Sequence, residues 1–187
     1  MKDHKLEFGK VRFRALEPED IDLLFEWEND SSIWEVSNTY EPFSKYILAK
    51  YIKESQRDIY ESRQIRLIIE TTEGKPVGAI DLFDFDPFHF RAGVGVLIHN
   101  RDDRRMGYAF DALQLLCRYA SEHLRLHQLF ANIGEDNEAS LQLFAKAGFE
   151  HTGTKKEWRR TSTGWANELI VQKILCGDEP GSSRNDD

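Results

Sequence analysis

Residues 94–109 read VGVLIHNRDDRRMGYA, an apolar run followed by a charged loop and the beginning of a second patterned segment. The run 94–98 predicts a buried strand. Residues 104–122 place apolar side chains at helical spacing, which predicts a helix with one buried face formed by Ala109, Leu113, Leu116, Cys117 and Ala120. The chain is therefore expected to be built around one strand-loop-helix unit.

The loop within this unit has the composition of an anion site. Gly107 and Ala109 are small, so a ligand can approach the backbone closely there. A helix N-terminus carries unpaired N–H groups and a partial positive charge, and Arg104 and Arg105 add donors. The loop predicts a site for a phosphate or diphosphate, and the alternative is an exposed basic helix start with an incidental glycine.

On both sides of this unit, short strands alternate with helices. We expect strands at 11–16, 65–71, 77–85, 90–98, 129–133, 149–158 and 165–175. Further helices are expected to open at 17–20, after Ser44 and at 137–147. Gly93 and Gly95 indicate a bulge or a close approach within the fourth strand. The fold class is α+β, with a central mixed, mostly antiparallel sheet and helices on both faces.

Length and composition limit the remaining choices. The 187 residues suit one domain, predicted at 1–176, followed by a flexible polar tail at 177–187. A net charge of −8 argues against nucleic acid, and no apolar run reaches the roughly 20 residues that span a bilayer. Neither Cys117 nor Cys176 belongs to a Cys-x-x-Cys pair, so we expect no metal and a cytoplasmic location.

Two motifs in order resemble the GNAT superfamily of N-acetyltransferases. Arg104-x-x-Gly107-x-Ala109 follows a strand, and the segment 137–149, NEASLQLFAKAGF, follows about thirty residues later. The resemblance covers residues 11–175, and the pattern is similar to the polyamine and ribosomal-protein N-terminal branches. It implies that acetyl-CoA is the cosubstrate and that its acetyl group passes directly to a primary amine.

The resemblance also implies how acetyl-CoA is held. The strand at 96–98 would part from the strand at 129–133 and expose backbone to the pantetheine arm, and an N–H near Val96 or Leu97 would stabilise the thioester oxyanion. Asn137 is either a cofactor contact, a helix N-cap, or both. The full implied set is Val96, Leu97, Ile98, Arg104, Arg105, Met106, Gly107, Tyr108, Ala109, Asn137, Phe144 and Lys146.

Transfer requires a neutral amine, so a base must take a proton. The candidates are Asp81, Asp84 and His89, although odd spacing places the two aspartates on opposite strand faces unless a bulge intervenes. Phe144 stands where many relatives carry a tyrosine acid, and phenylalanine cannot donate a proton. Either the thiolate leaves unassisted, or water, Tyr108 or Tyr119 substitutes.

The aromatic stretch 31–42 resembles the helix-to-helix segment of polyamine enzymes, which implies substrate contacts from Trp34, Glu35 and Glu41. An acidic and aromatic wall suits a cation, as does the negative net charge. Alternatively, Trp34 and Tyr40 simply cover the core. Gly93 stands where those enzymes have an acidic residue, which weakens the polyamine interpretation.

Four functions stay open at this point. The first is an acetyltransferase for a small amine such as a polyamine, and the second is one for a protein N-terminus or an aminoglycoside. The third is a non-catalytic acyl-CoA-binding module. The fourth, an ATP-binding protein, is disfavoured because the loop lacks Gly-Lys-Ser/Thr. We expect a small-molecule or peptide amine as partner, no nucleic acid, no membrane, and a homodimer or higher homo-oligomer by resemblance.

Overall fold

The computed structural model describes residues 6–34 and 39–175. The strands are β1 (Glu7–Phe8), β2 (Val11–Arg14), β3 (Ile65–Thr71), β4 (Pro76–Asp86), β5 (Arg91–Ile98), β6 (Gln128–Gly134), β7 (Glu150–Thr161) and β8 (Gly164–Ile174). The helices are α1 (Ile21–Glu28), α2 (Lys45–Glu54), α3 (Ile59–Ser62), α4 (Tyr108–Glu122) and α5 (Glu138–Lys146), with 3-10 turns at Pro18–Asp20 and Arg101–Asp103.

Within the described residues, these strands form one sheet in the order β1-β2-β3-β4-β5-β6-β8-β7. Every neighbouring pair is antiparallel except β5 and β6, which run parallel. The parallel pair is joined by α4, as a crossover connection requires. The predicted α+β class and the mixed, mostly antiparallel sheet are confirmed.

Both faces of the sheet are covered, because β3 turns successive side chains to opposite sides. Leu67 and Ile69 belong to the larger buried cluster, which also contains the inner faces of α4 and α5. Ile68, between them, belongs to a second cluster with Leu24 of α1 and Leu48 of α2. The expectation of helices on both faces is therefore confirmed.

The helix after the charged loop begins later than the sequence predicted. The expected start was Arg104, but α4 begins at Tyr108. Arg105 and Gly107 have φ angles of 64° and 92°, which right-handed helix does not allow. Residues 104–107 therefore form a loop, and Gly107 is the N-cap of α4.

Two local features of the sheet were only partly predicted. The close approach expected in β5 is present at Gly93, where the ring of Phe83 packs against the missing side chain. The bulge lies on the neighbouring strand, between Phe83 and Asp86, and Asp84 within it has a φ of 48°. The sequence patterns missed the short elements β1 and α3 altogether.

The core-covering interpretation of Tyr40 is wrong, because this side chain is 90% exposed. Trp34 is half-buried and donates from Nε1 to the carbonyl of Glu28 at 3.0 Å. Glu35, Cys176 and the predicted tail at 177–187 lie outside the described residues. No helix in the described part of the chain is long and apolar enough to cross a bilayer.

Candidate active site

A cleft opens where β5 and β6 separate. Their parallel pairing is limited to Arg91–Gly93 opposite Gln128–Phe130. Beyond Gly93 the strands part, and a cavity of about 330 Å³ lies between them. Its lining comprises Val94, Gly95, Val96, Ala131, Asn132, Ile133, Gly134, Asp136, Asn137, Ser140, Phe144, Arg159 and Glu168. This set, called the cleft below, combines small or apolar residues with five amide or charged residues: Asn132, Asp136, Asn137, Arg159 and Glu168.

The loop before α4 is braced from both directions. Arg104 donates from Nε to the carbonyl of Ile98 at 3.1 Å and from a terminal nitrogen to that of His99 at 3.0 Å. Lys10 Nζ donates to the carbonyl of Met106 at 3.0 Å. These bonds hold the segment that precedes Gly107 and use part of the donor capacity that the sequence assigned to a phosphate.

Gly107 itself leaves the helix start open. It has no side chain to cap α4, and among the described residues no atom lies within 4 Å of the place where its Cβ would stand. The first-turn N–H groups of a helix lack intrahelical partners. The geometry therefore suits a bound diphosphate, with Arg105 and Met106 exposed beside it.

The predicted residues of α5 occupy different places. The Asn137 side chain lines the cleft and accepts from the N–H of Ser140 at 3.1 Å, so its N-cap role is confirmed. Phe144 also lines the cleft and is 3% exposed, with its ring edge-on to Phe149 at 4.9 Å. Lys146 is exposed, and its ammonium lies 4.6 Å from the ring centroid of Phe110.

A second cavity lies on the α1 side of the sheet and measures about 220 Å³. Its lining comprises Trp27, Glu28, Ile33, Arg66, Ala79, Asp81, Gly95, Val96, Leu97 and His99. This set is called the α1 cavity below. Gly95 and Val96 line both the cleft and the α1 cavity. The two spaces are therefore neighbours along the same stretch of β5.

One arginine organises the charges of the α1 cavity. Arg66 donates to both carboxylate oxygens of Asp81, at 2.7 and 3.0 Å, and to Glu28 at 2.5 Å. Burial alone would lower the pKa of Arg66, but the two carboxylates raise it above its ordinary value. The guanidinium is thus permanently charged, and the three groups together carry a net charge of −1.

The α1 cavity is bounded by this cluster on one side. A further cavity of about 390 Å³, lined by α2 residues such as Ile47 and Tyr51, shares Glu28, Arg66 and Asp81 with it. The Arg66 guanidinium lies 5.5 Å from the Tyr51 ring centroid. The ion-paired cluster therefore borders both cavities.

The three candidate bases do not come together. Asp81 lines the α1 cavity, whereas Asp84 is exposed at the bulge of β4. His89 is exposed in the turn after β4, where its ring meets Phe88 edge-on at 4.8 Å. Among the predicted substrate contacts, Glu41 is exposed. Their catalytic and binding roles stay predictions.

His99 is a candidate that the sequence patterns missed. It follows β5 directly, is 7% exposed, and stacks on Trp27 with ring centroids 5.4 Å apart. Its only sequence signal was a histidine at the end of an apolar strand. That position is more often filled by a core residue, so the pattern did not distinguish it. Glu28 and Arg66 were missed because helix and strand periodicity do not report ion pairing.

A sheet whose parallel pair separates, joined by a crossover helix that begins at a glycine N-cap, is the arrangement of a class of acyltransferase. The chain belongs to this class: residues 10–150 match the family model described as Acetyltransferase (GNAT) domain. The protein is a member of the GNAT family and an N-acetyltransferase by that membership.

Curated relatives share part of the chain. Spermidine N(1)-acetyltransferase of Escherichia coli strain K12 is 24% identical over 143 residues, which are 76% of this chain and 74% of that protein. N-acetyltransferase 9-like protein of Nematostella vectensis is 36% identical over 73 residues, 38% of this chain and 37% of that protein.

Solved structures share the fold. Spermidine N-acetyltransferase from Vibrio cholerae, in complex with CoA and spermine, superposes with a TM-score of 0.79 at 18% identity and covers 89% of this chain and 96% of that chain. A dodecameric form of the Vibrio cholerae enzyme superposes with a TM-score of 0.74 at 19% identity. The match covers 89% of this chain and 94% of that chain.

Proposed function

We propose that the protein transfers the acetyl group of acetyl-CoA directly to a primary amine bound in the α1 cavity. The observation that carries this proposal is the shared lining. The backbone of Gly95 and Val96 borders the cleft on one side and the α1 cavity on the other. A thioester in the cleft and an amine in the cavity would therefore meet at one point of β5, where reacting atoms need to approach to about 3 Å.

The residues of the cleft fit acetyl-CoA. The open space at Gly107 and the braced loop around it suit the diphosphate, and the unpaired edges of β5 and β6 suit the pantetheine arm. Val96 and Leu97 would present a backbone N–H to the thioester oxyanion, and Asn137 and Phe144 would flank the bound molecule. The chemistry that acetyl-CoA supplies is an activated acetyl group with a stable leaving thiolate.

A cationic amine is the acceptor that the charges support. The Glu28, Arg66 and Asp81 cluster has a net charge of −1 at the α1 cavity, and Trp27 supplies an aromatic face. The names of the Escherichia coli and Vibrio cholerae relatives point to a polyamine. Spermine and spermidine are therefore the first acceptors to test, ahead of a peptide N-terminus or an aminoglycoside.

Four further expectations belong to this proposal. Residues 1–176 form one catalytic domain with a polar tail, and the protein acts in the cytoplasm without a metal. A homo-oligomer is expected, since a relative is dodecameric. Size-exclusion chromatography with light scattering tests the last point, and a mass of one 21.8 kDa chain would contradict it.

The cofactor half of the proposal is tested by thermal unfolding. A ligand that binds the native state at 100 times its Kd stabilises it by about 2.7 kcal/mol, so acetyl-CoA should raise Tm by several degrees. ATP shares the adenosine and phosphates but lacks the pantetheine arm, and it should leave Tm nearly unchanged. Equal shifts with both ligands would reject the CoA assignment.

The acceptor half is tested by free-thiol release from acetyl-CoA with four amines: spermine, spermidine, an aminoglycoside, and a peptide with a free N-terminus. Release that depends on one of the polyamines is the expected result. Release only with the peptide or the aminoglycoside would change the acceptor class. Binding of CoA without turnover of any amine would leave a non-catalytic acyl-CoA-binding module.

A further inference from the structure

The mechanism requires a proton acceptor, and the ionisable groups of the α1 cavity differ in whether they are already ion-paired. Among the described residues that line it, Glu28, Arg66 and Asp81 are joined in one ion-paired cluster. Both carboxylate oxygens of Asp81 and one of Glu28 already accept a hydrogen bond from Arg66. The remaining ionisable group is His99.

The imidazole of His99 is fixed by packing, but one of its ring nitrogens has no hydrogen-bond partner among the described residues. Its side chain is 6% exposed, the ring is stacked on Trp27 with an interplanar angle of 27°, and its backbone N–H donates to Val77 at 3.0 Å. Nδ1 is buried and has no hydrogen-bond partner within the described part of the chain. Buried polar atoms are rarely left unpaired, so this nitrogen requires an explanation.

The other ring nitrogen defines the tautomer. Nε2 lies 3.9 Å from a carboxylate oxygen of Asp30, which is beyond hydrogen-bond distance, and the negative charge of that carboxylate favours the N–H on that side of the ring. Nδ1 then carries the lone pair of the neutral imidazole and lacks a donor. Since His99 lines the α1 cavity, this unpartnered nitrogen suits an atom that receives a proton from an amine bound there.

From these observations we infer that His99 is the catalytic base of the acetyl transfer, an inference that rests on the proposed function. The amine lone pair forms the C–N bond to the thioester carbon, and the C–S bond breaks as the tetrahedral intermediate collapses. The proton on the former amine nitrogen passes to Nδ1 of His99, directly or through one water. The departing CoA thiolate takes up a proton afterwards from solvent or from the imidazolium.

Burial supports this role by keeping the ring neutral. It lowers the pKa of His99 below the ordinary value, and nearby carboxylates oppose that effect in part. Because the base must be neutral, kcat should fall as the pH drops through this lowered pKa. The charged groups that face the ring are Asp30, Glu26, Glu28 and Arg104, with Arg66 and Asp81 across the cavity.

The test uses the full chain with saturating acetyl-CoA and the amine of the four that is turned over fastest. His99→Gln should lower kcat by about 100-fold, within the usual range for a general base, and should remove the acid limb of the kcat profile. CoA affinity should stay within about twofold of the wild type, as measured by calorimetry. His123→Gln, at an exposed histidine after α4, is the matched control and should behave as wild type.

Asp30→Asn supplies a second variant in case His99→Gln does not fold. Asp30 raises the pKa of His99, so its neutralisation should move the acid limb to lower pH. A structural role for His99 would not move that limb. A wild-type profile in either folded variant overturns the inference and leaves the proposed function intact, whereas CoA binding without turnover of any amine overturns both.

Discussion

The cleft and the α1 cavity share two residues of β5 but are built from different materials. The cleft and the loop before α4 depend on the backbone: a parallel pair that ends at Gly93, a helix that begins at Tyr108, and a glycine with φ of 92°. The α1 cavity depends on side chains from several distant elements, held by ion pairs around Arg66. A backbone site tolerates side-chain variation and serves one cosubstrate, whereas a side-chain site can change its acceptor by a few substitutions.

The largest expected effect is at the backbone site. Gly107→Glu forces a left-handed φ on a residue with a side chain and places a negative charge where the diphosphate is expected. CoA affinity should fall by at least about 100-fold in calorimetry. Gly164→Glu is the matched control, because Gly164 also has a positive φ and open space around its missing Cβ, but it is the first residue of β8.

The control separates backbone strain from ligand contact. Both variants should lose stability to a similar degree, since a non-glycine residue pays for left-handed backbone in either place. Only Gly107→Glu should lose CoA. Retained affinity in that variant would show that the loop does not hold the diphosphate, and an equal loss in both would show a general effect on folding.

The next effect should separate the two regions. Asp81→Asn removes one of the two carboxylates on Arg66 and should raise the KM for the amine by about 10-fold, because the cavity loses its net negative charge. The Kd for CoA should not change. Asp22→Asn, which also breaks one ion pair but at an exposed position on α1, should leave both constants alone.

Steady-state kinetics with each substrate varied in turn distinguish the outcomes. A matching rise in the Kd for CoA would mean that the cleft and the α1 cavity are not separate sites. If Asp84→Asn rather than Asp81→Asn raised the KM for the amine, the acceptor would lie at the bulge of β4. The sequence alone could not choose between these two aspartates.

The features that the sequence could predict also differ between the backbone-built and the side-chain-built region. The order of elements, the cap at Asn137 and the loop at Gly107 were accessible because each depends on local spacing and residue type. The start of α4 was placed too early because charged residues at 104–106 are compatible with helix, and only their backbone angles exclude it. Of the residues that line the cleft, the sequence-based prediction named only Val96, Asn137 and Phe144 as site residues, because the separation of β5 from β6 brings the others together.

The α1 cavity was less accessible for a physical reason. Arg66 and Asp81 meet because β3 and β4 pair in one register, in which these two residues are opposite each other. A bulge then takes Asp84 out to solvent, and no local pattern announced that bulge. The environment of His99 is set by Trp27, seventy-two residues earlier in the chain, and by Asp30. Pairings of this kind are set by tertiary structure.

The smallest expected effect concerns Phe144, which stands in the cleft where the resemblance implied a tyrosine acid. Phe144→Tyr should change kcat by less than about threefold, because a thiol of pKa near 8.5 leaves more readily than an amine of pKa near 10.4 without help from an acid. Phe149→Tyr adds the same hydroxyl to the neighbouring buried ring and reports the cost of packing through Tm. A rise in kcat of tenfold or more in Phe144→Tyr alone would mean that departure of the thiolate limits the wild-type enzyme. Catalysis in the cleft would then depend on its side chains as well as on its backbone geometry.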